Sequence, residues 1–279
     1  MVSLRNSFVT DQIDVIAARP RRIRAMLRTV RVTRYVTPLR EGGSLPAIVE
    51  GDDEGLYVLK FRGAGQGPLA LVAELISGEI GRTLGLRVPE LVFMVLDEAI
   101  GRNEPDPEIR DLLMASTGLN LGMDFLPGSS MFDPAAGDRS DAETASKAVW
   151  FDAFVTNIDR TARNANLLWW HKQLYFIDHG ATLFFHHNWQ RIDQTAVRPF
   201  SAIADHILLP WADRIAEVDS DVRARLTEPV LSEIINAVPP EWLPQDEGPS
   251  PDGYLTYFRE RLAKSRFVEE AVRAHAQLV

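Results

Sequence analysis

The 279-residue sequence predicts an α+β protein with two lobes, a β-rich N-terminal lobe and a mainly helical C-terminal lobe. Residues 30–62 alternate apolar and polar side chains in runs that are typical of three strands. After residue 141, apolar residues recur mostly at helical spacing. We therefore expect an N-terminal extension at 1–29, the β-rich lobe at 30–126 and the helical lobe at 127–279.

A glycine turn is predicted between the first two strands of the β-rich lobe. Gly42, Gly43 and Ser44 form this turn, and backbone N–H groups in such a turn can approach phosphates. The strand Tyr57–Phe61 carries Lys60, whose ammonium can reach a phosphate as a point charge. Without further motifs, the turn is equally well read as a plain hairpin and the lysine as a charge at a strand edge.

A helix is predicted to follow the lysine strand over residues 69–84. Its apolar residues share one face, and Gly85 is placed to end it. Glu74 and Glu79 both lie on this helix and are more than one turn apart, so they cannot face the same cleft equally. We expect Glu74 to pair with Lys60 and Glu79 to be solvated.

The remaining elements follow in order along the chain. A strand is predicted at 91–96, a helix at 104–116 and a strand that would connect the lobes at 119–126. The later segments are a loop at 127–139, a helix at 141–157, a hairpin at 166–170 and 174–177, two helices within 201–237 and a last helix at 254–276.

The most informative motif lies between the helix at 141–157 and the hairpin. Asp159 precedes Asn164 by five residues, and Asp178 opens a turn directly after the hairpin. A hairpin here would return Asp178 to the side of Asn164. A carboxylate that receives a hydroxyl proton, together with two oxygen ligands for Mg²⁺, is typical of phosphoryl transfer from ATP. The spacing of Asp159 and Asn164 alone would fit an ordinary surface loop.

These motifs together resemble the HipA-like kinases, a bacterial branch of the protein-kinase-like fold that is related to the type II phosphatidylinositol 4-kinases. The resemblance covers roughly residues 30–235. It is fairly specific, because four motifs occur in the family's order. They are the Lys60 strand, Glu74 with the segment Leu84–Pro89, the segment Gly122–Gly128, and the run Asn157–Asn164 with Ile177 and Asp178.

The resemblance implies a role for each motif residue. Asp159 would be the catalytic base, and Asn164 and Asp178 would be the Mg²⁺ ligands. Lys60 would bind ATP phosphates with Glu74 as its partner. The segment Asp124, Phe125 and Leu126 would offer backbone groups to adenine. Two positions depart from the family pattern, since Thr161 replaces a histidine found in many members and His179 stands where many kinases carry phenylalanine.

The expected activity is an ATP- and Mg²⁺-dependent phosphotransferase that acts on a protein Ser/Thr. A small-molecule or lipid-headgroup kinase, and a non-catalytic nucleotide-binding module of the same fold, remain open because the cleft surface selects the acceptor. A protein partner also remains open.

Composition excludes several other classes of protein. The chain has no cysteine, which excludes disulfides and thiolate metal sites, and it contains no apolar run long enough to span a membrane. Residues 1–10 lack a signal-peptide core, so we expect a cytoplasmic location. The net charge of −9 argues against nucleic acid as a partner. The arginine-rich stretch 19–34 is read as a solvated face, although it could contact RNA, acidic lipid or an acidic protein.

Overall fold

The computed structural model describes residues 27–39, 45–65, 67–102 and 104–278. Nearly all of the expected extension 1–29 lies outside these residues, as does the turn predicted at Gly42, Gly43 and Ser44. A phosphate-binding role for that turn therefore stays a prediction.

The first half of the chain is built around a small closed β-barrel. Its strand order is β1-β2-β3-β5-β4, and the parallel pairing of β1 with β4 closes it. Each of the five described strands therefore has a hydrogen-bonded neighbour on both sides. Three strands within 30–62 and a strand at 91–96 are thereby confirmed. The strands are β1 (Thr29–Pro38), β2 (Ala47–Gly51), β3 (Leu56–Lys60), β4 (Leu91–Leu96) and β5 (Gly118–Asp124).

Helix α1 (Pro68–Thr83) packs between the barrel and the helical part of the protein, and contacts both β5 and the later helix at Glu228–Asn236. Most of its side chains are buried as a result. Pro68 suits the first turn, where its missing N–H is not needed. A Cβ on Gly78 would lie 2.8 Å from Leu91 Cδ1, so the helix meets β4 at very close range.

Two short helices, α2 (Glu98–Arg102) and α3 (Pro107–Ala115), connect β4 to β5. The helix predicted at 104–116 is present, but it begins later than expected because Asp106 caps it. The Asp106 carboxylate accepts a hydrogen bond from the Glu108 N–H at 3.0 Å. Helix α2 was missed because five residues carry too little periodicity to be recognised.

Helix α4 (Ala142–Val155) leads directly into the Asp159 loop. Asp141 caps its first turn by accepting from the Thr144 N–H at 2.8 Å, and Thr156 ends it in the left-handed conformation. Most of the helix is buried, which holds the start of the following loop in the core of the helical part.

A three-stranded sheet follows the loop and contains the predicted hairpin. It consists of β6 (Ser130–Met131), β7 (Leu167–Trp170) and β8 (Gln173–Phe176) in that order. His171 and Lys172 form the two-residue turn with φ of 48° and 61°, the positive values that match the twist of a tight hairpin. Strand β6 lies in a stretch expected to be loop, because two residues form a strand there only by pairing with β7.

The remaining chain is helical. The two helices predicted within 201–237 are confirmed, but the single last helix predicted at 254–276 is wrong. Ser265 takes a φ of 57°, which interrupts the helix, and its hydroxyl accepts from Arg223 Nη2 at 3.0 Å. Among the described residues, no helix has the length and apolarity that a bilayer crossing requires. These helices are α5 (Ile192–Ala196), α6 (Ile215–Arg225), α7 (Glu228–Asn236), α8 (Pro251–Lys264) and α9 (Arg266–Ala276).

Candidate active site

Three charged side chains from distant parts of the sequence meet at the end of β3. Lys60 Nζ lies 2.7 Å from Glu74 Oε2 on α1 and 2.5 Å from Asp178 Oδ1, which follows β8. The Glu74 side chain is only 1% exposed, whereas that of Asp178 is 43% exposed. The expected contact between Lys60 and Glu74 is therefore formed, and Asp178 places a solvent-facing carboxylate beside it.

The Lys60–Glu74 pair keeps both of its members ionised. Burial alone would raise the pKa of Glu74, but Lys60 and His179 outweigh it and hold this pKa down to about 2. Burial alone would lower the pKa of Lys60, yet the carboxylates of Asp178 and Glu74 raise it above its ordinary value. The lysine is consequently a mostly buried cation whose charge is matched by these carboxylates.

Glu79 is not solvated as the sequence suggested. Its side chain is only 12% exposed and lies 3.5 Å from Arg82 across one turn of α1. Burial raises the pKa of Glu79, and the nearby charge of Arg82 opposes that effect. The prediction failed because α1 packs against both the barrel and the helical part, which leaves little of the Glu79 side chain exposed.

His179 contacts Glu74 through the carboxylate oxygen that does not face Lys60. Its side chain is fully buried, its Nδ1 lies 3.4 Å from Glu74 Oε1, and its ring meets the edge of Phe151 with centroids 5.7 Å apart. His179 therefore occupies an apolar position, where many kinases carry phenylalanine, and adds a polar contact to the lysine–glutamate pair.

Asp159 is held in a tight loop by two asparagine side chains. Its Oδ2 accepts from Asn164 Nδ2 at 2.8 Å and from Asn166 Nδ2 at 3.2 Å. Thr161 and Asn164 close the loop by exchanging backbone hydrogen bonds of 3.0 and 3.2 Å. The loop thus presents a half-buried carboxylate with its orientation fixed.

Sequence reasoning missed Asn166, which had been assigned to a strand. It is buried with a φ of 48°, a left-handed conformation that asparagine tolerates better than most residues. Its carbonyl accepts from the Ile177 N–H at 3.1 Å, and this bond ties the Asp159 loop to the residue before Asp178. The repeat of asparagine at 164 and 166 was the only available signal.

The donor set suits Mg²⁺. Because Asn164 donates through Nδ2, its Oδ1 is left as an acceptor, and Asp178 contacts Lys60 through one oxygen only. Mg²⁺ usually takes one or two protein oxygens and completes its shell with phosphates and water. Within the described residues, no cluster of three or more His, Cys, Asp or Glu forms an all-protein metal site, and such a cluster is not needed for this ion.

Two of the three backbone N–H groups in the segment expected to contact adenine are already hydrogen-bonded. The Asp124 N–H donates to the Glu90 carbonyl at 2.8 Å, and the Phe125 N–H donates to the Leu56 carbonyl at 3.0 Å. The first bond extends the pairing of β5 beyond the start of β4, and the second extends the pairing with β3 past the end of β5. Of the three N–H groups, only that of Leu126 makes no hydrogen bond within the described part of the chain.

Comparison with protein families matches residues 32–267 to the model described as HipA-like kinase. The chain belongs to the HipA-like kinase family. The match spans the barrel, the lysine–glutamate pair, the Asp159 loop and most of the helical part. It also gives Lys60, Asp159, Asn164 and Asp178 a common family context, although it assigns no role to any of them.

Solved structures similar to this HipA-like chain include the Helicobacter pylori proinflammatory kinase CtkA. The two are 15% identical with a TM-score of 0.54, over 90% of this chain and 99% of that one. This similarity shows a kinase fold. The Golgi casein kinase is more distant, at 12% identity and a TM-score of 0.46 over 88% of this chain and 74% of that one, and we draw nothing from it. No curated protein sequence matched the chain.

Proposed function

We propose that this HipA-like chain is an ATP- and Mg²⁺-dependent phosphotransferase that phosphorylates serine or threonine in a protein. The observation that carries the proposal is the meeting of Lys60, Glu74 and Asp178 at one point, with the residue before Asp178 hydrogen-bonded to the asparagine-clamped Asp159 loop. The barrel and the helical part would be two lobes with the nucleotide between them, as is common for sites at domain boundaries.

Each side chain has a defined task in this proposal. Lys60 would bind ATP phosphates, with Glu74 fixing its position. Asn164 and Asp178 would hold Mg²⁺, which neutralises phosphate charge when it is bound. The free Leu126 N–H would face adenine, and the turn at Gly42, Gly43 and Ser44 would cover the phosphates.

Asp159 would act as the general base. As the acceptor hydroxyl oxygen bonds to the γ-phosphorus, the bond from that phosphorus to the β,γ-bridging oxygen breaks and ADP leaves. The hydroxyl proton passes to the Asp159 carboxylate. The two asparagine amides that donate to Asp159 Oδ2 leave its other oxygen free for this proton within the described structure.

The proposal is tested by incubating the purified protein with γ-labelled ATP, Mg²⁺ and a cell lysate, alongside the Asp159→Asn variant. We expect label in protein, recovered as phosphoserine or phosphothreonine after acid hydrolysis, and no label above background with the variant. Label that enters only small molecules or lipids would overturn the protein acceptor. Equal labelling by wild type and variant would overturn the role of Asp159 as the base, and labelling by neither would overturn the phosphotransferase.

A further inference from the structure

A buried carboxylate on α4 has no task in the proposed chemistry. The Asp152 side chain is fully buried and accepts from three side chains. Arg160 Nε and His206 Nε2 donate to its Oδ2 at 2.6 and 2.8 Å, and Asn157 Nδ2 donates to its Oδ1 at 2.8 Å. Burial would raise the pKa of Asp152, but Arg160, His206 and Asn157 together keep it well below its ordinary value. A buried charge with this many donors is a fixed anchor point.

Two of these donors flank Asp159 in the sequence. Asn157 also accepts the Asp159 N–H through its Oδ1 at 3.0 Å. Arg160 Nη1 donates to the Asn166 carbonyl and, at 3.4 Å, to the carbonyl of Ile177, the residue before Asp178. Through two side chains, Asp152 therefore reaches both the loop of Asp159 and the turn of Asp178.

The third donor enters from a segment that is distant in sequence. The Leu208 N–H donates to His206 Nδ1 at 3.0 Å, so Nδ1 is an acceptor and the ring proton lies on Nε2, which points to Asp152. The backbone of this segment also pairs with the loop, because Ile207 N–H donates to the Arg160 carbonyl at 3.1 Å and His206 forms a bridge with Thr161. His206 is thus locked in one tautomer between two fixed partners.

We propose that Asp152 and His206 are positioning residues that hold the Asp159 loop in its working geometry. The effect on turnover rests on the proposed function, whereas the effect on the order of the loop does not. His206 is the better probe, because removal of the Asp152 charge would leave Arg160 buried without its partner and could prevent folding.

Two substitutions of His206 separate its two hydrogen bonds. In His206→Asn, the short amide can still accept from the Leu208 N–H but cannot reach Asp152. In His206→Gln, the longer amide can donate to Asp152. The matched control is His171→Asn, at an exposed turn position with a φ of 48° that asparagine tolerates. Hydrogen exchange of residues 157–164, nucleotide affinity and kcat are measured for all four proteins.

We expect the hydrogen-exchange rate of residues 157–164 to rise about tenfold in His206→Asn, because one charge-assisted hydrogen bond is lost. The exchange rates of the barrel should not change. If turnover is present, kcat should fall at least about tenfold while nucleotide affinity barely changes. His206→Gln should recover most of both losses, and His171→Asn should match wild type. Unchanged exchange in His206→Asn, or equal defects in the Asn and Gln variants, would overturn the positioning role. If the wild-type protein shows no turnover, the proposed function is wrong. The hydrogen-exchange rates of the variants would still test the positioning role of His206.

Discussion

Lys60 and Asp178 are 118 residues apart in the sequence, yet their charged atoms lie 2.5 Å from each other. The contact joins the end of β3 in the barrel to the turn after β8 in the second half of the chain. Glu74 on α1 completes the group from a third direction. Lys60 is thus fixed between two carboxylates, and each of these partners can be removed separately.

The first prediction concerns the coupling of Lys60 and Glu74. Lys60→Met and Glu74→Gln should each weaken ATP binding, and the double variant should lose much less than the sum of the two losses. The reason is that Glu74 contributes mainly by holding Lys60. The measurement is ATP affinity by calorimetry across the four proteins, and simple additivity would show that the two residues act independently.

A second prediction follows from the pKa of Glu74. Because the folded-state pKa is about 2 and the ordinary value is 4.5, ionised Glu74 stabilises the fold above pH 4.5, and this stabilisation is lost as the pH falls towards 2. Between these pH values, the free energy of unfolding should fall by up to about 3 kcal/mol more in wild type than in Glu74→Gln. Urea unfolding at several pH values tests this. The exposed control Glu247→Gln should follow wild type, and a Glu74→Gln curve parallel to wild type would refute the prediction.

The third prediction separates the two oxygen ligands proposed for Mg²⁺. Asp178→Asn should lower Mg²⁺-dependent nucleotide affinity on the order of tenfold, and Asn164→Ala only a few-fold, because a carboxylate offers a full charge to a hard cation. Titration without Mg²⁺ is the control, since any loss that persists there acts through Lys60. A larger Mg²⁺-dependent loss in Asn164→Ala would reverse the assignment.

The fourth prediction concerns how α4 is held at its C-terminal end. Arg261 is buried and donates to the carbonyls of Phe154 at 2.7 Å and of Ala153, two of the groups that a helix end leaves without partners. Arg261→Met should cost about 2–3 kcal/mol of unfolding free energy because these carbonyls lose their donor. The matched control is Arg259→Met on the same helix, whose exposed pair with Glu228 should contribute under about 1 kcal/mol. Both free energies of unfolding are measured by urea unfolding. Equal losses in the two variants would show that Arg261 does not stabilise the end of α4.

Much of the fold could be predicted because its signals are local. The strand at 91–96 is a short apolar run between turns, and it appears with the predicted bounds. The break at Ser265 could not be predicted, since a serine hydroxyl that receives Arg223 from another helix leaves no pattern in the surrounding sequence. Strand β6 likewise exists only through its pairing with β7.

The candidate site shows the same division between local and tertiary information. Lys60, Asp159, Asn164 and Asp178 were chosen because their spacing matches a chemistry. His206, by contrast, stands alone in the sequence and meets Asp152 only after the chain folds back over 54 residues. The segment Asp124 to Leu126 was expected to offer backbone groups to adenine, but sheet hydrogen bonds occupy the N–H groups of Asp124 and Phe125. Spacing therefore indicated reactive groups, whereas the residues that support them depend on tertiary packing.

The most direct test of the account is the rate of γ-phosphate transfer at saturating ATP and Mg²⁺, compared between wild type and Asp159→Asn. Loss of the base should reduce kcat by roughly 10²- to 10⁴-fold and leave the nucleotide dissociation constant nearly unchanged, because a base acts in the transition state and hardly in ground-state binding. The exposed control Asp246→Asn should transfer phosphate at the wild-type rate. Transfer by Asp159→Asn at the wild-type rate would contradict the assignment of Asp159 as the catalytic base.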